Sequence, residues 1–443
     1  MKFVSYAPNL LLSEDYAVTA IYNGVRYEIS CATAVVGNRF HDYSMAYERM
    51  SFCSMDCDFE EPLTVEIRPT MCRREAVIRP KHAGIVGVFD GECLTVTLDH
   101  PQKLCIEFDG DLFHNLFLFI GTPETELPAP DAVGVRYFGP GVHDVGKIEL
   151  SSGETLYLHG DAVVYGHILA QGDDIRILGR GVLTGEHLNH DCDKHREQLL
   201  RATGCHHLTI DGVILLDSPA WTVCAAHCSH LTITDMKQIC YNPNSDGFDI
   251  CSCEDVLIRD CMVRNFDDNI SIKSFGGDNR NITMEDCILF GDCAHNMLVG
   301  PESKREAENH FCHICFRNID VLEHKEFSEF FMGVMAIFCA DNASFYDIEW
   351  SDIRVERMAY GRLFDFNYVD AYAETYGKSV RDIRMKNITC DAPMIFRSRI
   401  NGMDETHTME DILIENVTVG GRPITAEDKA VKIGEFVENV VYR

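Results

Sequence analysis

Apolar and polar positions alternate in short runs along the whole chain, and the alternation has two grammars. Up to about residue 127 the runs are brief and bounded by turn residues. Examples are Ala17-Val18-Thr19-Ala20-Ile21-Tyr22, Leu63-Thr64-Val65-Glu66-Ile67, Leu94-Thr95-Val96-Thr97-Leu98 and Leu104-Cys105-Ile106-Glu107-Phe108. No long helical periodicity interrupts them, which predicts an antiparallel sandwich. Thr122 to Pro130 holds three prolines and few bulky apolar residues, and reads as a linker. From about Val133 the pattern repeats. Segments of one design begin at Ile175, Leu208, Leu231, Val256, Ile282, Ile314, Ile348, Ile383 and Ile412, spaced as solenoid repeats are. Each has β-branched alternation and no amphipathic stripe; Arg357 to Lys378 alone is ambiguous. The expectation is an all-β chain: a small antiparallel β-sandwich domain over 1–127, then a right-handed parallel β-helix over 133–443.

Composition narrows the partners. The formal charge of −31 lacks the basic footprint that nucleic-acid binding needs, and opposes docking on anionic membranes. No apolar run is long enough to span a bilayer. The start of the chain lacks the apolar core and cleavage site of a signal peptide, and Glu14-Asp15 follow closely. A cytoplasmic protein is expected, with homo-oligomerisation left open. In that setting the 20 cysteines are expected to be free thiols that pack as small apolar residues. Cys312-His313-Ile314-Cys315, with His310 before it, resembles half a zinc site, but no second CxxC completes it. No metal and no cofactor are expected.

The candidate chemistry lies between Asn244 and Glu302. Asn244-Ser245-Asp246, Asp267-Asp268 and Ala294-His295-Asn296 sit in a similar phase to the repeat starts: Asp246 fifteen residues after Leu231, Asp267 eleven after Val256, His295 thirteen after Ile282. On stacked rungs about 4.8 Å apart these clusters converge on one corner. Adjacent residues of a regular strand point to opposite faces, so Asp267 and Asp268 both reach a groove only where the chain bends. Paired aspartates alone mark little, since Asp173-Asp174 also reads as a corner turn. Trp221, in the same column, is a flat platform in the groove or a brace inside the coil. Asp249 and Lys273 belong to the groove or to solvated strand ends. Glu302, after Gly300-Pro301, is close enough to the groove to contact a ligand hydroxyl.

Together with Ser218-Pro219-Ala220-Trp221, these clusters resemble the polygalacturonase family, glycoside hydrolase family 28. They correspond to its SPxW, NTD (Ser for Thr) and DD motifs, and to a GHG motif without its glycines. The sandwich, with Tyr137-Phe138-Gly139-Pro140-Gly141-Val142 opening the helix, is more reminiscent of the dextranase and isopullulanase family, family 49. The resemblance implies an inverting hydrolase of α-linked oligosaccharides. Asp267 would be the general acid, Asp246 and Asp268 would activate water, and His295 would touch substrate or tune Asp267. Asn244, Asp249, Lys273, Trp221 and Glu302 would bind substrate. Crowded carboxylates suffice for acid and base roles without a metal.

One departure concerns the sugar. The family's Gly-Val-Arg-Ile-Lys stretch, whose cations hold a galacturonate carboxylate, corresponds to Gly333-Val334-Met335-Ala336-Ile337. Met335 and Ile337 are expected to offer an apolar face to a neutral sugar, unless Lys304, Arg305 or Arg362 restores the charge. The rivals are an oligogalacturonide hydrolase, a β-helix lyase or fructotransferase using calcium and a basic residue, and a non-catalytic carbohydrate-binding helix.

Overall fold

The computed structural model describes residues 3–125, 127–300, 302–304 and 308–443. From Val135 onward, the described residues form 30 strands stacked into one continuous parallel coil, in which one strand pair, at Thr418–Pro423, is antiparallel. The register joins the repeat starts to one another: Leu208 pairs with Leu231, then Val256, Ile282, Ile314, Ile348, Ile383 and Ile412. The residue before each start is left-handed, as at Asp174, His207, His230, Asp255, Asn281, His313, Asp347, Asp382 and Asp411. Asp, Asn and His tolerate that conformation better than other side-chain-bearing residues, so the repeat carries a polar residue at each such corner. Asp174 is thus a corner residue, as its surroundings suggested. Arg357–Lys378 forms no helix; it contributes strands Met358–Tyr360 and Phe364–Tyr368 and a loop.

Ahead of the coil stand a six-stranded and a five-stranded sheet, packed face to face on a core from Val18, Val65, Val96, Leu104 and Leu118. The sandwich departs from pure antiparallel order in one place. Met45–Cys57 pairs in parallel with Leu116–Gly121, because the intervening chain builds the opposite sheet before returning. The six-stranded sheet is buried on both faces. Its outer side, with Val36, Met50, Phe52, Phe117 and Phe119, packs on Val182, Ile214, Ile239, Met262 and Phe290 of the coil. That explains the unbroken apolar run Leu116-Phe117-Leu118-Phe119-Ile120, which a strand with one wet face would not carry.

Ion pairs, most of them buried, lace the same interface. Arg79 of the sandwich reaches Glu356 of the coil, Lys103 reaches Asp235 and Asp260, and Arg180 of the coil faces Asp56. Arg264, in the strand leading to Asp267, donates to Asp292 through two nitrogens at 2.8 and 2.9 Å. Its third nitrogen donates to Leu112 O and Asn115 Oδ1 of the sandwich.

The 20 cysteines are free thiols, and most are buried. They do more than fill space. Cys228 Sγ accepts the Cys205 main-chain N–H, and Cys253 Sγ accepts that of Cys228, each at 3.4 Å. In the next coil Asn279 Oδ1 takes over the task for Cys253 at 3.2 Å. Cys287 serves Cys261 in the same way. Cys312 is buried and Cys315 half-buried on strand Asn309–Lys325, whose inward positions are Phe311, Ile314 and Phe316.

Candidate active site

The candidate corner is the bend that precedes one strand column in successive coils. Val223–Ala226, Phe248–Cys251, Ile270–Lys273, Met297–Val299 and Met335–Cys339 pair in order, so the turns before them stack. Asp246, Asp267 and Asp268 lie in those turns, and one oxygen of each falls within 4.8 Å of the others. They line a cavity of about 370 Å³ with Trp221, Asn244, Lys273 and Glu302. Asp267 and Asp268 share it because they lie in a bend ahead of the strand.

Each aspartate has different surroundings. Asp267 receives the Asn244 main-chain N–H at 3.2 Å and that of Asp268 at 3.0 Å. Burial and the Asp268 charge nonetheless push it up to about 7. Asp268 Oδ1 accepts both the main-chain N–H of His295 at 2.9 Å and its Nδ1–H at 2.7 Å. Asp246 is 4% exposed, and burial, then the Asp249 charge, push it well above the usual carboxylate range. The Lys273 ammonium opposes that shift from 3.2 Å.

His295 and Asp249 are absent from the cavity wall: both are 0% exposed. His295 stands behind Asp268, with its ring edge-on to Phe331 and Phe338; it hydrogen-bonds that carboxylate and acts on Asp267 through its charge alone. Burial lowers its pKa, but Asp268, with smaller help from Asp365 and Glu326, turns the net shift upward. The missing glycines are accommodated in two ways. Ala294 adopts a left-handed φ of 56°, pinned by its N–H to Glu326 Oε2, while Asn296 fills the second position and donates to Asn269. Asp249 pairs with Lys273 at 2.8 Å beneath the cleft, and burial pushes it up to about 7.

Trp221 lies outside the coil. It rests over Cys224, Ala226 and Cys251, with the Lys273 ammonium 3.7 Å from its ring centre. Asn244 is held by Arg196, whose Nη2 donates to its Oδ1 at 2.8 Å. Past Trp221 a second chamber of about 430 Å³, lined by Arg196, Arg201 and Gln198, continues the groove and shares Trp221, Asn244 and Glu302.

Met335 and Ile337 are a correction. Both are wholly buried in the coil's interior, and the outward positions of that strand are Ala336 and Phe338. Phe338 lines the cavity. Strand alternation therefore aligns Ala336-Ile337-Phe338 with Arg-Ile-Lys, since both cations must face outward. The charges are absent either way. Arg362 is 5% exposed and lies 3.8 Å from both Glu329 and Asp365, outside the cavity wall. Lys304 is not part of that wall either, and Arg305 lies outside the described residues.

The sandwich supplies a wall that sequence reasoning missed. The tip of the hairpin Ala32–Arg39 and Met45–Cys57 brings Arg39, Tyr43 and Met45 to the cavity. Arg39 donates to Cys293 Sγ at 3.0 Å, sits 3.6 Å from Glu326 and lies over the Tyr43 ring. His41 stacks on Phe327, and a Cβ on Gly37 would meet Phe266 at 2.4 Å. No local sequence signal marks a contact over some 250 residues of chain.

The three carboxylates have the spacing a divalent cation would require, but Lys273 already brings positive charge to Asp246. None is assigned as a metal ligand. Two unlike carboxylates facing one cavity suit proton donation and proton acceptance on a single bond.

Residues 163–437 match the family Glycosyl hydrolases family 28. A probable polygalacturonase of Arabidopsis thaliana is 28% identical over 153 residues, 34% of this chain and 31% of that protein. Exopolygalacturonase A of Aspergillus niger is 30% identical over 117 residues, 23% of this chain and 27% of that protein. The chain thus spans about a third or less of the length of these curated relatives. Among solved structures, Dex49A from Penicillium minioluteum superposes with a TM-score of 0.71 at 15% identity, over 96% of this chain and 95% of that one. An exopolygalacturonase from Thermotoga maritima gives 0.53 at 18%, over 70% and 83%. Both are likenesses of fold. The family match covers more than half of the chain and every coil that builds the cleft, and on that ground the protein belongs to glycosyl hydrolase family 28.

Proposed function

We propose that the protein hydrolyses α-linked oligosaccharides of neutral sugars, with inversion and without a metal. Asp267 is the general acid that protonates the leaving oxygen, and Asp246 and Asp268 hold and deprotonate the attacking water. The observation that carries this reading is the convergence of three carboxylates with different partners on one cavity. Asp267, at about 7, keeps its proton near neutrality, as a general acid must. Asp268 accepts from His295, while Asp246, which burial pushes up, faces the Lys273 ammonium that opposes the rise and favours its ionised form.

Charge supports a neutral sugar. The cavity wall carries Asp246, Asp267, Asp268, Glu302 and Glu326 against Arg39 and Lys273, and both cations already face carboxylates. A uronate entering that cavity would be repelled and would meet only cations already facing carboxylates among its described lining; Arg196 and Arg201 lie in the adjoining chamber. Phe338 and Trp221 offer apolar surface to the C–H faces of a sugar ring. The adjoining chamber favours a substrate of several units. A cytoplasmic setting, in which imported oligosaccharides are cleaved, agrees with the free thiols.

Retention is the second reading, favoured by one observation. The carboxylate oxygens lie within 4.8 Å, closer than the ~6.5–9.5 Å that usually leaves room for water in inverting enzymes. Anomeric NMR of the first product separates the two: β product from an α-linked substrate supports inversion, and α product overturns it. The sugar is tested side by side on oligogalacturonides and on α-galacto-, α-gluco- and rhamno-oligosaccharides. A neutral substrate is expected to be cleaved fastest. Faster cleavage of the oligogalacturonides would reverse the substrate assignment and leave the acid and base roles intact.

A further inference from the structure

Lys273 was expected to meet substrate, and its surroundings leave it no means of doing so. The side chain is buried at 2% exposure on the outer face of Ile270–Lys273, directly beneath the cavity. Its ammonium lies 3.2 Å from Asp246, 2.8 Å from Asp249 and 2.6 Å from Glu302. An ammonium has three N–H donors, and three carboxylates surround it. The remaining approach is covered by Trp221, whose ring centre is 3.7 Å away. Nothing is left to offer a sugar hydroxyl.

We propose that Lys273 is a positioning residue: it fixes the orientation and the charge of Asp246 so that Asp246 can take a proton from water, and it does not bind substrate. This rests on the reading of Asp246 as a water-activating base. The groups facing Asp246 are Asp249 from its own coil, Asp267 and Asp268 from the next, and Lys273. Glu302 acts on it through Lys273, and His295 through Asp268. Arg39 and Glu326 pair with each other on the far wall. Lys273 is therefore the one cation in direct contact with Asp246 among the described residues, against three neighbouring aspartates. Asp249 beneath it holds Lys273 from the side away from the cavity, and Glu302 from the rim. The arrangement is a buried strut with a carboxylate at each end.

The test is the pH profile of kcat/KM for the full-length protein, on whichever neutral oligosaccharide of the panel above is cleaved fastest. A base must be ionised, so activity falls on the acid side as Asp246 gains its proton. Removing a cation in contact should raise that limb by about 1 to 3 pH units. Lys273→Met is expected to do so, with kcat at pH 6 reduced at least tenfold and KM within threefold of wild type. Lys273→Arg should recover part of the shift. Glu302→Gln removes one anion from the rim and strengthens the hold of Lys273 on Asp246, so the limb should move the opposite way. Glu302 is half-exposed, which makes that variant readable even where Lys273→Met does not fold. A raised KM with an unmoved limb in either variant would make Lys273 or Glu302 a substrate ligand and overturn the proposal. A uniform loss of kcat at every pH would reduce Lys273 to a structural role, which also overturns it. Retention of configuration by wild type would sink the reading of Asp246 as base; inversion with an unmoved limb would sink the role of Lys273 alone.

Discussion

Replacing Asp267 by Asn should lower kcat by about 10² to 10⁴, the usual contribution of a general acid. The substitution keeps the shape of the side chain and removes the acidic proton, together with one of the two acceptors that meet main-chain N–H groups. In the wild type, burial and the Asp268 charge hold that proton up to about pH 7. Asp267 is active when protonated, so the rate should fall as pH rises through about 7, and this alkaline limb should vanish in Asp267→Asn. The loss should be smaller on aryl glycosides with good leaving groups, which need little protonation. Turnover unchanged in the variant, or an alkaline limb that survives the substitution, would remove Asp267 from the role. Activity abolished by a chelator would count against metal-free chemistry for the whole site.

Much of this site can be read in the chain because the coil repeats its backbone. The repeat starts are visible as β-branched alternation, and the polar residue before each one is visible because a left-handed corner selects Asp, Asn or His. Once those corners are in phase, Asp246, Asp267, Asp268 and His295 fall on one side of the coil by counting. Counting cannot resolve a single residue. Met335 and Ile337 were given the cleft that belongs to Ala336 and Phe338, because a slip of one position along a strand exchanges its two faces. Lys273 and Asp249 lie in the expected column, but whether a side chain there meets substrate or another side chain depends on its neighbours in adjacent coils. His295 follows the same logic: its phase is legible, while its place behind Asp268 is set by packing against Phe331 and Phe338. The hairpin that delivers Arg39, Tyr43 and Met45 left no trace in local pattern. Its strands read as ordinary sandwich strands, and only the docking of the six-stranded sheet on the coil carries its tip to the cleft.

That docking sets up the largest expected loss of stability. Arg264 is 0% exposed, spans Asp292 with two nitrogens and gives its third to Leu112 and Asn115 of the sandwich. Its guanidinium also lies 4.1 Å from the centre of the Phe290 ring. Arg264→Ala strips the buried Asp292 carboxylate of its hydrogen-bonded cation, leaving Lys325 to act on it through charge alone, and leaves two sandwich acceptors without this donor. Removing one partner of a buried pair costs about 3–5 kcal/mol, far more than an exposed pair is worth. Denaturant unfolding should report a loss of that size. Burial already raises the Asp292 pKa with Arg264 present, and losing the arginine should raise it further. A carboxylate whose folded pKa is raised destabilises the fold above that pKa and is relieved as pH falls, so the loss should be smaller at pH 5 than at pH 8. Arg264→Met combined with Asp292→Leu removes both charges and should recover part of the stability, because much of the penalty is the unpaired carboxylate. Catalysis should not recover with it. Arg264 holds the strand that enters the Asp267 bend against the sandwich, and the double variant keeps the packing but not the three anchoring hydrogen-bond directions. A single-variant loss of about 1 kcal/mol or less, as for a surface pair, or a double variant no more stable than Arg264→Ala, would show that the pair does not lock the two layers together.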